Sequence, residues 1–83
     1  MGVLMYPVGT EKAIGRIDRN NEIEYIVSLS ATKSIIKEEF EKLFGVKVDN
    51  VRVLNTFQNR KKAIIKIGKE SKASDIAVKL KLV

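Results

Sequence analysis

The stretch Thr32-Lys33-Ser34-Ile35-Ile36-Lys37-Glu38-Glu39-Phe40-Glu41-Lys42-Leu43-Phe44-Gly45 decides the fold. Ile36, Phe40, Leu43 and Phe44 recur at helical spacing on one stripe, helped by Ile35, while Glu38, Glu41 and Lys42 fall opposite. The spacing predicts one main helix over about 32–44, opened at Ser30 or Thr32. Gly45 closes it in the left-handed conformation, where a side chain would cost energy. Before it, Glu22 to Leu29 alternates: Ile23, Tyr25, Val27 and Leu29 share one face, and Glu24 and Ser28 the other. After it, Val46 to Phe57 is strand-like, with Val51, Val53 and Phe57 on one face and Val48 and Leu54 on the other. Gln58-Asn59 makes a tight turn, because Asn tolerates positive φ. Arg60 to Ile67 returns as a strand that places Ala63, Ile65 and Ile67 together.

The ends complete the pattern. A short edge strand precedes Pro7, and Thr10 caps a short helix near 10–16, stopped by a turn at Asp18-Arg19-Asn20-Asn21. A last short helix near 73–80 uses Ile76, Ala77 and Leu80. Strands interleaved with helices and closed by a hairpin predict an α+β fold: a small sandwich with a mainly antiparallel sheet of three to four strands under the main helix. The 83 residues make a single domain, 1–83, with no internal repeat.

Composition narrows the chemistry. Cysteine and histidine are both absent. Disulfides, thiolate metal sites, cysteine nucleophiles and most general acid–base catalysis near neutral pH therefore lose their usual agents. No glycine-rich phosphate loop occurs, and the serines have no histidine to activate them. We expect no enzyme, no cofactor, no metal and no small-molecule substrate. Pro7 stops the only apolar run near the start, and nothing approaches a membrane span, so a soluble cytoplasmic chain is expected.

The charge is where the function lies. Sixteen Lys and Arg against ten Asp and Glu give +6, and the balance is uneven. Residues 1–37 carry five basic and four acidic groups, residues 38–50 two and four, and residues 51–83 nine and two. A lysine excess can serve solubility alone. The skew toward the second half points instead to an anion-binding face, densest at Arg60-Lys61-Lys62. Lys33 and Lys37 lie one turn apart beside the Thr32 hydroxyl. Thr10 and Lys12 open the first helix, where free N–H groups attract phosphate. Arg60, Lys61, Lys62 and Lys66 are expected around the hairpin. The sheet lacks spaced aromatic pairs for stacking unpaired bases, and Tyr25 and Phe57 are expected in the core or at its rim. Grip on folded RNA through phosphates and 2′-hydroxyls follows. Glu38, Glu39 and Glu41 read as a solvated helix face.

Several motifs together resemble a known family. Pro7-Val8-Gly9-Thr10-Glu11-Lys12-Ala13 is similar to the Pro-x-x-Thr-Glu-Lys opening of the ribosomal large-subunit protein twenty-three family. Ala31-Thr32-Lys33 with Ile36-Lys37 resembles that family's helix start, Leu43-Phe44-Gly45-Val46-Lys47-Val48 its helix end, and Lys61-Lys62-Ala63 its last strand. The short turn between Phe57 and Lys61 is similar to the archaeal form. Arg52, Val53, Phe57 and Asn59 depart from the usual family residues.

The resemblance implies a structural rRNA-binding protein at the rim of the polypeptide exit tunnel, seated beside a neighbouring ribosomal protein. It also implies docking of the signal recognition particle and the protein-conducting channel. Carried over by position, Thr10, Lys12, Lys33, Lys37, Lys61 and Lys62 hold RNA, joined by Lys47, Asn55 and Arg60; the charge reading adds Thr32 and Lys66. Glu38, Glu39 and Glu41 face away from RNA and help present the docking side. Two other classes stay open at this point: a small DNA-binding or chromosome-coating protein, and a regulatory α+β dimerisation module.

Overall fold

A computed structural model describes residues 2–56 and 59–82. Four strands and three helices alternate along the chain as β1 (Leu4–Pro7), α1 (Glu11–Asn20), β2 (Glu22–Val27), α2 (Lys33–Phe44), β3 (Val48–Asn55), β4 (Lys61–Ile67) and α3 (Ala73–Lys79). The strands form one antiparallel sheet in the order β1-β2-β4-β3. The expected α+β architecture is present, with the sheet at the upper end of the expected strand number.

Alternation sets the sheet's two faces. Ile23, Tyr25 and Val27 of β2 join Ala63, Ile65 and Ile67 of β4 and Val51 of β3 in one buried cluster. The same cluster takes in Ile17 of α1, Ile36 and Phe40 of α2, and Ala73, Ile76 and Ala77 of α3. Phe40 is its centre: fully buried, edge-on to Tyr25 at 6.3 Å and tilted against Phe44 at 4.6 Å. Burial pushes the Tyr25 phenol above its ordinary value of 10.0, because the phenolate would lose its water.

The main helix has the expected bounds. The Thr32 hydroxyl accepts from Ile35 N–H, and Gly45 closes the helix at φ 65°. Its stripe is narrower than expected, since Leu43 and Ile35 are exposed and only Ile36, Phe40 and half-buried Phe44 face the sheet. Those three stand four residues apart, so they stack on one line while Ile35 and Leu43 flank it.

Other boundaries differ from the sequence expectation for local reasons. The first helix runs a turn past Arg16, because Ile17 is core and the chain turns only at Asn21, which adopts φ 56° and donates its N–H to the Arg16 carbonyl. Strand β2 stops at Val27 and not Leu29; Ser28 N–H donates to the Val3 carbonyl, and Leu29 is exposed. Strand β3 starts at Val48 and is irregular between Val48 and Asn50. That irregularity turns Val48 into the core with Val51, where strict alternation had put it on the other face. Strand β4 starts at Lys61, one residue later than expected. Asn59 takes φ 58° as a turn residue should, and Thr56 N–H donates to the Arg60 carbonyl across the hairpin. Phe57 and Gln58, and with them the expected core position of Phe57, lie outside the described residues.

Helix α3 is capped from far away. Its own N-cap residue, Lys72, offers no side-chain bond, and Asn21 supplies it: Asn21 Oδ1 accepts from Ala73 N–H at 2.6 Å. The same amide donates to the Ile67 and Ser71 carbonyls. One side chain thus joins the end of α1, the end of β4 and the start of α3.

Candidate nucleic-acid interface

The register of the sheet defines two ends. At one end, β4 begins at Lys61, β2 finishes at Val27 and β3 finishes at Asn55. The start of α2 is tied to this end, because Lys61 Nζ donates to the carbonyls of Ala31 at 2.7 Å and Leu29 at 3.3 Å. Two segments without a single carboxylate side chain, 25–37 and 50–69, are thereby joined. The hairpin end gathers exposed Thr32, Lys33, Asn55 and Arg60, with exposed Lys37 one turn along α2. Thr10 belongs there too, since it lines one cleft with Thr56, Arg60 and Lys62, and Lys12 follows it on the first turn of α1.

The two threonines serve the fold first. Thr10 Oγ1 accepts from Ala13 N–H at 3.2 Å, and Thr32 Oγ1 from Ile35 N–H at 3.3 Å. Each hydroxyl keeps its proton to donate to a phosphate oxygen. Lys61 is committed differently: two of its three donors hold the loop before α2, so it supports the interface more than it extends it.

Lys47 and Lys66 stand apart from this group. Lys47 precedes β3 at the opposite end, where its carbonyl accepts from Gly68 N–H. Lys66 sits across from Glu22 and Asn50, also toward that end, and not around the hairpin.

The sheet face away from the helices carries an ion-pair network that alternation alone did not predict. Glu22 and Glu24 are about 95% buried there. Glu22 Oε2 meets Arg52 Nη2 at 2.9 Å, and its Oε1 accepts from Arg16 Nη1 and Asn20 Nδ2, each at 3.4 Å. Glu24 Oε1 meets Lys62 Nζ at 3.0 Å. Arg16 Nε lies 3.0 Å from Glu24 Oε2 but is not directed along its N–H, so the two form an ion pair without a hydrogen bond. Lys62 is therefore partly neutralised, although its side chain retains exposure. Only part of the signal lay in the sequence: Glu22 and Glu24 alternate on β2 and Lys62 and Lys66 on β4, but nothing local pairs them with each other or with Arg16.

The three glutamates of α2 also separate. Glu39 Oε1 accepts from Val3 N–H at 3.0 Å and Glu41 Oε2 from Val48 N–H at 2.9 Å. Two of the three thus hold strand starts, while Glu38 is exposed. Among the described residues no helix is long and apolar enough to cross a membrane, and no group of acidic side chains is arranged to hold a metal ion.

One relative is 46% identical over 78 residues, covering 94% of this chain and 91% of its own length. It is the large ribosomal subunit protein uL23 of Methanothermobacter thermautotrophicus. The family model described as ribosomal protein L23 matches residues 2–82. With a match over nearly its whole length, the chain belongs to the ribosomal protein L23 family.

Proposed function

We propose that this chain is a structural, non-catalytic constituent of the large ribosomal subunit in the cytoplasm, binding large-subunit rRNA with its hairpin end. Thr10, Lys12, Thr32, Lys33, Lys37, Asn55 and Arg60 make the primary grip, with Lys62 contributing what Glu24 leaves free. Lys61 acts from behind by fixing the loop that carries Thr32 and Lys33. Lys47 and Lys66, at the far end of the sheet, take no part in this grip. The observation that carries this mode of binding is the union of two carboxylate-free segments at one end of a rigid sheet. Neither segment sets a like charge where phosphate must approach, and the lysines release its counterions. Backbone grip of this kind fixes position without reading sequence.

The seat is the rim of the polypeptide exit tunnel beside a neighbouring ribosomal protein. Glu38, exposed on the outer face of α2, belongs to a side turned from RNA, offered to the signal recognition particle and the protein-conducting channel. Glu39 and Glu41 shape that side indirectly, through the strand starts they hold.

A sucrose gradient of cell extract after a high-salt wash tests the assembly. The chain is expected in the large-subunit peak at about one copy per particle; recovery with free protein at the top would contradict tight assembly. Lys33→Ala with Lys37→Ala tests the grip, since both side chains are exposed. The slope of log affinity against log salt for rRNA should fall by about one for each phosphate left without its lysine. An unchanged slope would place the grip elsewhere.

A further inference from the structure

Tyr6 and Arg60 stand between two neighbouring grooves, both lined mostly by apolar surface but carrying different polar groups. Tyr6 lies across from Ile26 on the edge strand, 40% exposed, and its hydroxyl accepts a hydrogen bond from Arg60 Nη1. On one side is the cleft already described, with the Thr10 and Thr56 hydroxyls and the Lys62 ammonium. On the other is a groove of about 430 Å³ lined by Met5, Tyr6, Ile26, Leu29, Asn59 and Arg60. Met5 is 61% exposed and Leu29 55%. These are large apolar surfaces left open to water, which is the costly arrangement.

Among the described residues no acidic side chain lines either groove. The cleft that carries the Thr10 and Thr56 hydroxyls and Lys62 shares one wall with the groove that carries Met5 and Leu29, and that wall ends in the Arg60 guanidinium. A nucleotide has the same division: an anionic phosphate at one end and a flat, weakly hydrated base at the other. A basic peptide would find no carboxylate here, and a purely apolar one would leave the adjoining cations unused. We propose that the groove between Met5, Tyr6 and Leu29 takes one unpaired base of the bound RNA, with its phosphate on the Arg60 and Thr10 side. Asn59 offers an amide that both donates and accepts at the rim, suited to a base edge. This rests on the rRNA-binding reading and adds base stacking to a grip otherwise made on phosphates.

The test is equilibrium binding of the full chain to deproteinised large-subunit rRNA over a range of salt, with thermal melts to confirm folding. Tyr6→Ala should weaken binding about 5-fold to 140-fold at fixed salt, the range for removing one base stack. The salt slope should stay unchanged, because no charge is removed. Tyr6→Phe keeps the ring and should remain close to the parent chain, while Leu29→Ala should show a smaller loss in the same direction. Folded Tyr6→Ala and Leu29→Ala chains that bind rRNA as the parent does would overturn the proposal. Failure of the parent chain to bind rRNA in a salt-sensitive way would overturn the rRNA-binding reading instead. In the intact large subunit, short-wave ultraviolet light should join the peptide holding Met5 and Tyr6 to a nucleotide. Finding those side chains crosslinked by a bifunctional reagent to a neighbouring protein, with no nucleotide adduct, would give the groove to that protein and overturn the proposal.

Discussion

The two faces of the sheet are built from the same strands and held differently, the second burying Ile26 and Ile64 beside its ion pairs. The helix-covered face is apolar, and burial alone holds Ile23, Ile65 and Phe40 together. The other face keeps two carboxylates about 95% buried and satisfies them with Arg16, Arg52 and Lys62, whose side chains remain between 26% and 51% exposed. The first arrangement is costly to disturb because nothing can replace the missing packing. The second tolerates disturbance better, since a freed cation can return to water.

Phe40→Ala attacks the covered face at its centre. It should cost about 3–5 kcal/mol in urea unfolding, enough to leave a domain of this size marginal or unfolded. Glu24→Ala attacks the other face and should cost less, about 1–3 kcal/mol, because Lys62 is free to turn to water and Arg16 keeps its pair with Glu22. If Glu24→Ala proved as damaging as Phe40→Ala, the contrast between the faces would fail.

The seam at Asn21 gives a third, intermediate probe. Asn21→Gly keeps the left-handed turn while deleting the amide, so it isolates the bonds to Ile67, Ser71 and Ala73. A loss of about 1–2 kcal/mol is expected by thermal melting, with α3 the first element to lose amide exchange protection. Uniform loss of protection would show instead that α3 is held by its core packing alone.

The smallest effect concerns Tyr25. Its raised folded-state pKa means that the unfolded chain ionises first as pH rises. The unfolded state then holds fewer protons, so stability present below pH 10.0 is lost through the alkaline range above it. Tyr25→Phe should remove part of that alkaline decline in urea midpoints, and an identical decline would remove the assignment.

Legibility in the sequence follows the same division. The covered face could be read from alternation in Glu22–Val27 and Lys61–Ile67 and from the four-residue spacing of Ile36, Phe40 and Phe44, because each is a local period. The caps at Thr10, Thr32 and Gly45 were legible for the same reason. The Glu22 and Glu24 network was not, because its partners come from α1, β3 and β4 and meet only after folding. Nor was the service of Asn21 to Ala73, which lies 52 residues on, or the commitment of Lys61 to the Ala31 carbonyl. The inward turn of Val48 depends on one irregular residue pair that alternation cannot foresee. For the site, charge density picked out the hairpin and the α2 lysines, and the Lys61 bonds to the Leu29 and Ala31 carbonyls tie those two segments together. Charge density could not show that Lys66 points to the far end or that Lys62 is shared with a carboxylate.

The central claim is that RNA meets the hairpin end and not the opposite one. Brief amine acetylation of intact large subunits and of the free chain, read by mass spectrometry, tests it residue by residue. Lys12, Lys33 and Lys37 should be shielded in the subunit and reactive in the free chain, while Lys69 and Lys72 stay reactive in both. Shielding of Lys69 and Lys72 with Lys33 and Lys37 left open would place the RNA at the wrong end of the sheet and contradict the account.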